Sequence, residues 1–269
     1  MRHAVTVKKI QHVLLEHYRY EPGPAATSEP HAHAEYQISL SFDFPGVYEY
    51  RGGRVPVPVR SVTVLHPGEP HAVSDPGPRE QHAHFAMLYL DEAWVRRVAA
   101  EWKRLRGSIV FTPVSCGREL LAELTAIHER LMHETQRLAQ DALARRVVHA
   151  LLERQGFEAE ERLVDDPRAV RIARDYLHRH AFDEVSLDRL AFIAGVSAFH
   201  LTRLFVRHAG FPPHRYQLQL RVARARELLA LGVPIGEAAL QTGFVDQSHL
   251  HRQFKRYAGV PPGRYRRAS

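Results

Sequence analysis

Hydrophobic and polar positions divide this chain into two unlike halves. In the first ninety residues the apolar positions fall in short runs: YQISLSF (36–42), GVYEYR (46–51), SVTVLH (61–66) and HAHFAMLYL (82–90). Gly, Pro and Asp punctuate them, as in RGGR and DPGPRE. Short, evenly spaced runs between turn signals predict the strands of a sandwich or barrel over residues 1–90. Beyond residue 90 the period lengthens to that of helices. DEAWVRRVAAEWKRLRG (91–107) reads as one. In GRELLAELTAIHERLMH, Leu120, Leu124, Ile127 and Leu131 step by 4, 3 and 4. That is a coiled-coil type of seam, which can pair two chains or pack on the strands. AQDALARRVVHALLERQG is a third helix and stops at Gly156, so 91–156 is a helical segment. The acidic, unpatterned stretch 157–166 predicts a linker.

Residues 167–269 are helical throughout and contain a duplication. AGFPPHRY at 209–216 returns as AGVPPGRY at 258–265, and the match extends upstream through Leu201, Arg203 and Phe205 against Leu250, Arg252 and Phe254. In the first copy, 186–209, Ser186 can cap LDRLAFIA, Gly195 can end it in a left-handed turn, and Ser197 can cap AFHLTRLFVRHA. In the second, 234–258, Pro234 precedes IGEAALQT, Gly243 makes the turn and Asp246 can cap QSHLHRQFKRYA. A short helix, a Gly turn and a second helix form a helix-turn-helix. A linking helix at 212–231 opens on two prolines, and about twenty residues at 1.5 Å each span roughly 30 Å, close to one turn of B-DNA. A further helix, 167–180, precedes the first copy.

Charge sharpens this division. From Asp166 onward there are 17 Lys and Arg against 8 Asp and Glu, a net of +9, whereas residues 1–165 carry 20 against 22, a net of −2. A cationic helical half points to a polyanionic partner. One cysteine, Cys116, excludes an intramolecular disulfide. MRHAVTVKKIQH lacks an apolar signal core, and no apolar run reaches the ~18 residues of a membrane span, so the expectation is a cytoplasmic protein without a membrane partner.

The second helix of each copy carries an exposed stripe beside its core positions. The stripes are Phe199, Thr202, Arg203 and Val206, and Ser248, His251, Arg252 and Lys255, with Gln247 one place ahead. Arg can pair with guanine, Gln with adenine, and Ser or Thr with several base edges. Phe199 is ambiguous, since a large aromatic is commonly buried. Arg207 and Arg256 lie further round, where they suit phosphates or solvent.

LAFIAGVSAFHLTRLFVRHAGFPPHRY and IGEAALQTGFVDQSHLHRQFKRYAGVPPGRY resemble the DNA-binding domain of the AraC family of transcription regulators. The resemblance covers 167–267. It implies seven helices, double-stranded DNA as partner, and base contacts from Phe199, Thr202 and Arg203 and from Gln247, Ser248, His251 and Arg252. It also implies a small-molecule effector, a homodimer paired through the helices before the linker, and RNA polymerase as a further partner.

The first half holds its own chemistry. His31, His33 and Glu35 alternate in HAHAEYQ, His71 follows the turn in PGEPH, and His82 and His84 alternate later. His-x-His with a distant His can hold a divalent metal, or the rings can line a pocket or the surface. These segments resemble the cupin barrel, although its Glu lies several residues beyond the second His and Gln37 stands at the fourth place here. The fold class expected is therefore two-domain: an N-terminal cupin-like β-barrel with following helices, then an all-α domain with two helix-turn-helix motifs. His31, His33 and His71 are the expected effector pocket, with no metal or cofactor assigned and no catalysis. Parity opposes that placement: if Tyr36, Ile38, Leu40 and Phe42 fill the barrel, the odd-numbered histidines point outward unless the strand enters irregularly near Ala34. The alternatives are a metal-dependent cupin enzyme of dioxygenase or isomerase type with a helical appendage, and a module that binds nucleic acid without sequence preference.

Overall fold

The computed structural model describes residues 3–50, 53–103, 108–154, 158–160 and 167–268. The N-terminal half holds β1 (His3–Ile10), β2 (Val13–Tyr20), β3 (Tyr36–Ser41), β4 (Gly46–Tyr50), β5 (Gly53–Val57), β6 (Ser61–Leu65), β7 (His71–Ser74) and β8 (Ala83–Leu90). α1 (Glu92–Lys103), β9 (Ser108–Val110), β10 (Val114–Ser115), α2 (Arg118–His133), α3 (Arg137–Arg154) and β11 (Glu158–Glu160) follow. One antiparallel sheet runs β1-β2-β8-β3-β6-β10, and a second runs β5-β4-β7.

The large sheet is covered on both faces. Tyr36, Ile38 and Leu40 of β3 pack with Trp94 and Val98 of α1, Leu124 of α2 and Val147 of α3. The alternate residues point the other way, and Tyr48 of β4 lies within hydrogen-bond distance of Gln37 (3.4 Å) and Ser39 (3.3 Å). The even-numbered apolar set therefore faces the helices, and the space between the sheets takes the odd-numbered polar set. The premise that the apolar set fills the barrel, which would turn the odd-numbered histidines outward, therefore does not hold. The reason is that the helices supply a larger apolar surface than the small second sheet does. Leu120, Leu124, Ile127 and Leu131 are all buried in the same core, so the seam packs within the chain. The strand reading missed β1 and β2, which form one end of the large sheet. The predicted helix ends near 104–107 and at Gly156 lie outside the described residues, as does most of the acidic linker. Its residues 158–160 are not free chain but pair with β9.

Seven helices complete the chain: α4 (Arg168–Arg179), α5 (Leu187–Ala194), α6 (Ala198–Ala209), α7 (Pro213–Ala230), α8 (Ile235–Gln241), α9 (Gln247–Ala258) and α10 (Pro262–Arg267). Ser186, Ser197 and Asp246 cap α5, α6 and α9 by accepting from the amides of Arg189, His200 and His249. Gly195 ends α5 at φ 70°, and the chain bends by 84° into α6. No single helix among the described residues is long and apolar enough to cross a membrane. α7 joins the two helix-turn-helix units, whose cores differ in kind. The first is built from α4, α5, α6 and the start of α7. The second, with Val222, Leu229, Leu250, Phe254 and Tyr265, is continuous with Val5, Val7, Leu14 and Tyr18 of β1 and β2.

Candidate functional site

The exposed faces of α6 and α9 follow from the packing of their opposite sides. Leu201 and Phe205, and Leu250 and Phe254, are fully buried at i, i+4 spacing. That orientation turns Arg203, Gln247, Ser248, His251 and Arg252 to solvent, with Thr202 half-buried. Thr202 also bonds back to the carbonyl of Ala198 at 2.9 Å. Phe199 is 73% exposed, and the Arg203 guanidinium lies 5.7 Å from its ring centroid. Phe199 is thus outside the core, which removes that ambiguity. Arg256 is exposed, and it and Arg215 both pair with Glu29, at 3.1 and 3.3 Å.

The three predicted histidines come together between the sheets. His31 forms an isolated bridge with His71 of β7, the chain is irregular from residue 32 to 35, and β3 starts at Tyr36. His33 has the parity of Gln37 and Ser39, which face the second sheet. Ring centroids lie 4.4 Å apart for His31 and His71, 5.0 Å for His31 and His33, and 5.2 Å for His33 and His71. Burial lowers the pKa of His31 to about 4 and of His71 to about 3, and holds His33 well below its ordinary value, so all three are neutral at pH 7. Glu35 leaves the cluster and lines a separate cleft with Lys9, Gln11 and Glu227, where burial raises its pKa. His82 is exposed, and His84 pairs with Asp43 at 2.5 Å, so neither joins.

Residues 15–152, more than half of the chain, match the family model of the AraC-like ligand binding domain. The chain belongs to the AraC family. Residues 190–268 match a helix-turn-helix domain. The uncharacterized HTH-type transcriptional regulator YbfI of Bacillus subtilis is 33% identical over 131 residues, 48% of either chain. The regulatory protein ada of Salmonella typhimurium is 44% identical over 64 residues, 24% of this chain and 18% of its own. The AraC-type chain thus matches about half or less of the length of these curated relatives. Apo ToxT from Vibrio cholerae superposes with a TM-score of 0.68 at 12% identity, covering 97% of this chain and 99% of its own. ToxT described as bound to an unsaturated fatty acid gives 0.63 at 12% identity, with 96% of each covered. At that identity the likeness is one of fold.

Sequence reasoning missed the polar network that joins the two halves of this AraC-type regulator. Glu16 of β2 is fully buried and accepts from Arg226 of α7 at 2.5 Å, from Tyr18 at 3.0 Å, and from Tyr265 of α10. Burial, the largest single influence, lowers the Arg226 pKa, but Glu16 with Tyr89, Tyr265 and Tyr18 together raise it above its ordinary value, so the guanidinium stays charged. Arg226 also lies 4.2 Å from the ring centroid of Tyr89, which makes an edge contact with His33 at 5.1 Å. The network thus reaches the histidine cluster. One signal was present: VLLEHYRY sets a carboxylate in the middle of a strand-like run, where it requires a partner.

Proposed function

We propose that the chain is a sequence-specific DNA-binding transcription regulator controlled by an effector held at His31, His33 and His71. The observation that carries the DNA half is the pair of matched stripes. Phe199, Thr202 and Arg203 on α6, and Gln247, Ser248, His251 and Arg252 on α9, stand on the faces opposite their buried Leu and Phe anchors. Two such helices joined by one stiff helix suit successive major grooves. Support for the effector half is the position of His31 and His33, which line a crevice with Gln219, Val222 and Arg226 of α7, while His71 packs against both rings. A ligand there touches both halves at once. A cupin enzyme is disfavoured because Glu35 faces a different cleft from the three histidines. One ToxT structure holds an unsaturated fatty acid. The crevice here has a volume of about 20 Å³, so an organic effector of that size requires the two halves to part.

Cytoplasmic location, homodimerisation and contact with RNA polymerase belong to the same reading. Pairing would use outer surfaces of α2 and α3, since the Leu120–Leu131 seam is buried within the chain. The test is selection of bound sites from random duplex DNA by the full chain, with and without extracts of small metabolites. A recurrent motif with two blocks about one helical turn apart is expected. Recovery of unenriched sequence at every salt concentration would leave only non-specific binding.

A further inference from the structure

The histidine cluster has the features of a metal site. One ligand nitrogen from each of His31, His33 and His71 lies within 4.8 Å of the others. Two tautomers are fixed by the backbone. His31 Nδ1 donates to the carbonyl of Glu29 at 2.7 Å and His71 Nδ1 to that of Glu69 at 3.0 Å, so in each ring Nε2 keeps the lone pair. Orientation of a metal-binding imidazole through its other nitrogen is the usual outer-shell arrangement. His71 is 3% exposed, and its Nε2 and that of His33 are buried without a hydrogen-bond partner. Buried polar atoms are normally paired, so two unpartnered ring nitrogens within one cluster call for a ligand. The adjoining space of about 20 Å³ has room for one ion or one water. An all-imidazole set suits zinc, cobalt, nickel or copper, whereas calcium and magnesium take oxygen.

We propose that His31, His33 and His71 bind a single divalent transition-metal ion of the zinc type, and that filling this site loosens the docking of the DNA-binding half. This rests on the regulator reading above and names the ligand class of its effector site. Zinc–nitrogen bonds of 2.0–2.1 Å set tetrahedral ligand nitrogens about 3.3 Å apart. Nitrogens up to 4.8 Å apart must therefore close by up to roughly 1.5 Å. The segment that must move is tied to the DNA-binding half, because the Ala32 amide donates to Gln219 Oε1 at 2.8 Å. His33 also leans on Tyr89, which carries the Arg226 guanidinium on its ring. A dication placed here is repelled by that guanidinium, so metal and closed docking oppose each other. By linkage, whatever opens the docking also tightens the metal.

The full chain, stripped with chelator and dialysed, is titrated with zinc chloride at neutral pH by calorimetry. One zinc per chain with a micromolar or tighter Kd is expected, and cobalt should give the intense visible bands of a four-coordinate site. His33→Gln and His71→Gln, checked for fold by circular dichroism, should each weaken binding at least tenfold, while His82→Gln at an exposed position leaves it unchanged. Hydrogen exchange at the Ala32 amide, and at the Val7 amide, which donates to the Ala268 carbonyl at 2.8 Å, should quicken with zinc in the parent chain and not in His33→Gln. DNA affinity, measured on the same samples, should rise about fivefold with zinc. Absence of stoichiometric zinc, or zinc affinity unmoved by both histidine variants, overturns the site. Tight zinc with no change in exchange overturns the coupling. DNA binding without metal binding leaves the regulator standing and removes this inference, and the converse removes the regulator.

Discussion

At the scale of single residues, the two exposed, matched arginines and one buried histidine give separable predictions. Arg203 and Arg252 hold matched positions on α6 and α9 and are exposed. Arg203→Ala and Arg252→Ala should each cost about 1–3 kcal/mol on the preferred site and relax choice at one base position each. Competition binding with single-base variants of the selected site reads this directly, and full discrimination in both variants would displace the groove assignment. His128 of α2 is a different case. It is 3% exposed, and burial, helped by the nearby His17, lowers its pKa to about 4. The unfolded chain takes up this proton first, near pH 6.5. The contribution of neutral His128 is therefore fully present above pH 6.5 and is lost as pH falls towards about 4. Across that window the loss is roughly 3 kcal/mol. Urea unfolding at pH 7 and pH 5 should show a smaller difference for His128→Leu than for the parent chain. Equal differences would mean that His128 titrates normally.

At the scale of elements, the helix-turn-helix units were legible because their signals are local. Ser186, Ser197 and Asp246 cap helices within a few residues of themselves, and Gly195 and Gly243 sit at the turns with φ of 70° and 72°. The two glycines are not equivalent. A Cβ on Gly195 meets nothing within 4 Å, whereas one on Gly243 would lie 2.3 Å from the carbonyl oxygen of Phe182. Gly195→Ala should cost only the left-handed penalty of about 1–2 kcal/mol. Gly243→Ala should cost more and shift the second unit, because Arg221 of α7 also binds the Gly243 carbonyl at 2.6 Å. Thermal melts of the two variants rank them, and equal losses would refute the close approach. β1 and β2 were not legible. Half of their apolar residues are buried by helices more than two hundred positions away, and Glu16 looks like a solvent-facing carboxylate until Arg226, 210 residues on, is placed beside it. The histidines were found by spacing. Their inward direction was expected against the parity argument, and that argument fails because the helices α1–α3 take the apolar face and leave the odd-numbered set between the sheets.

At the scale of the whole molecule, the net charge of +9 beyond residue 165 overstates what is free to meet DNA. Arg226 is spent on Glu16, and Arg221 on the carbonyls of Ala181, Asp183 and Gly243. Arg215 and Arg256 are both held by Glu29, which lies in the loop between β2 and β3. Arg215 leads α7 out of the first unit and Arg256 belongs to α9, so a single carboxylate of the sensor half ties both units. DNA phosphate would compete with Glu29 for the same two guanidiniums. If α6 and α9 bind DNA as proposed, docking and DNA binding draw on one set of charges, and Glu29 opposes the release of these two arginines to phosphate. Glu29→Gln should raise DNA affinity a few-fold at low salt. It should also steepen the dependence of log affinity on log salt by about 1–2, since up to two more phosphates are neutralised. The pairs are solvent-accessible, so stability should change little. The measurement is equilibrium binding at several salt concentrations on one duplex, alongside Arg256→Gln. If Glu29 acts by holding Arg256, the double variant should gain less than Glu29→Gln alone. An affinity unmoved by Glu29→Gln at every salt concentration would mean that these arginines stay clear of the phosphates, and the restraint would then have to lie in the buried Glu16–Arg226 contact.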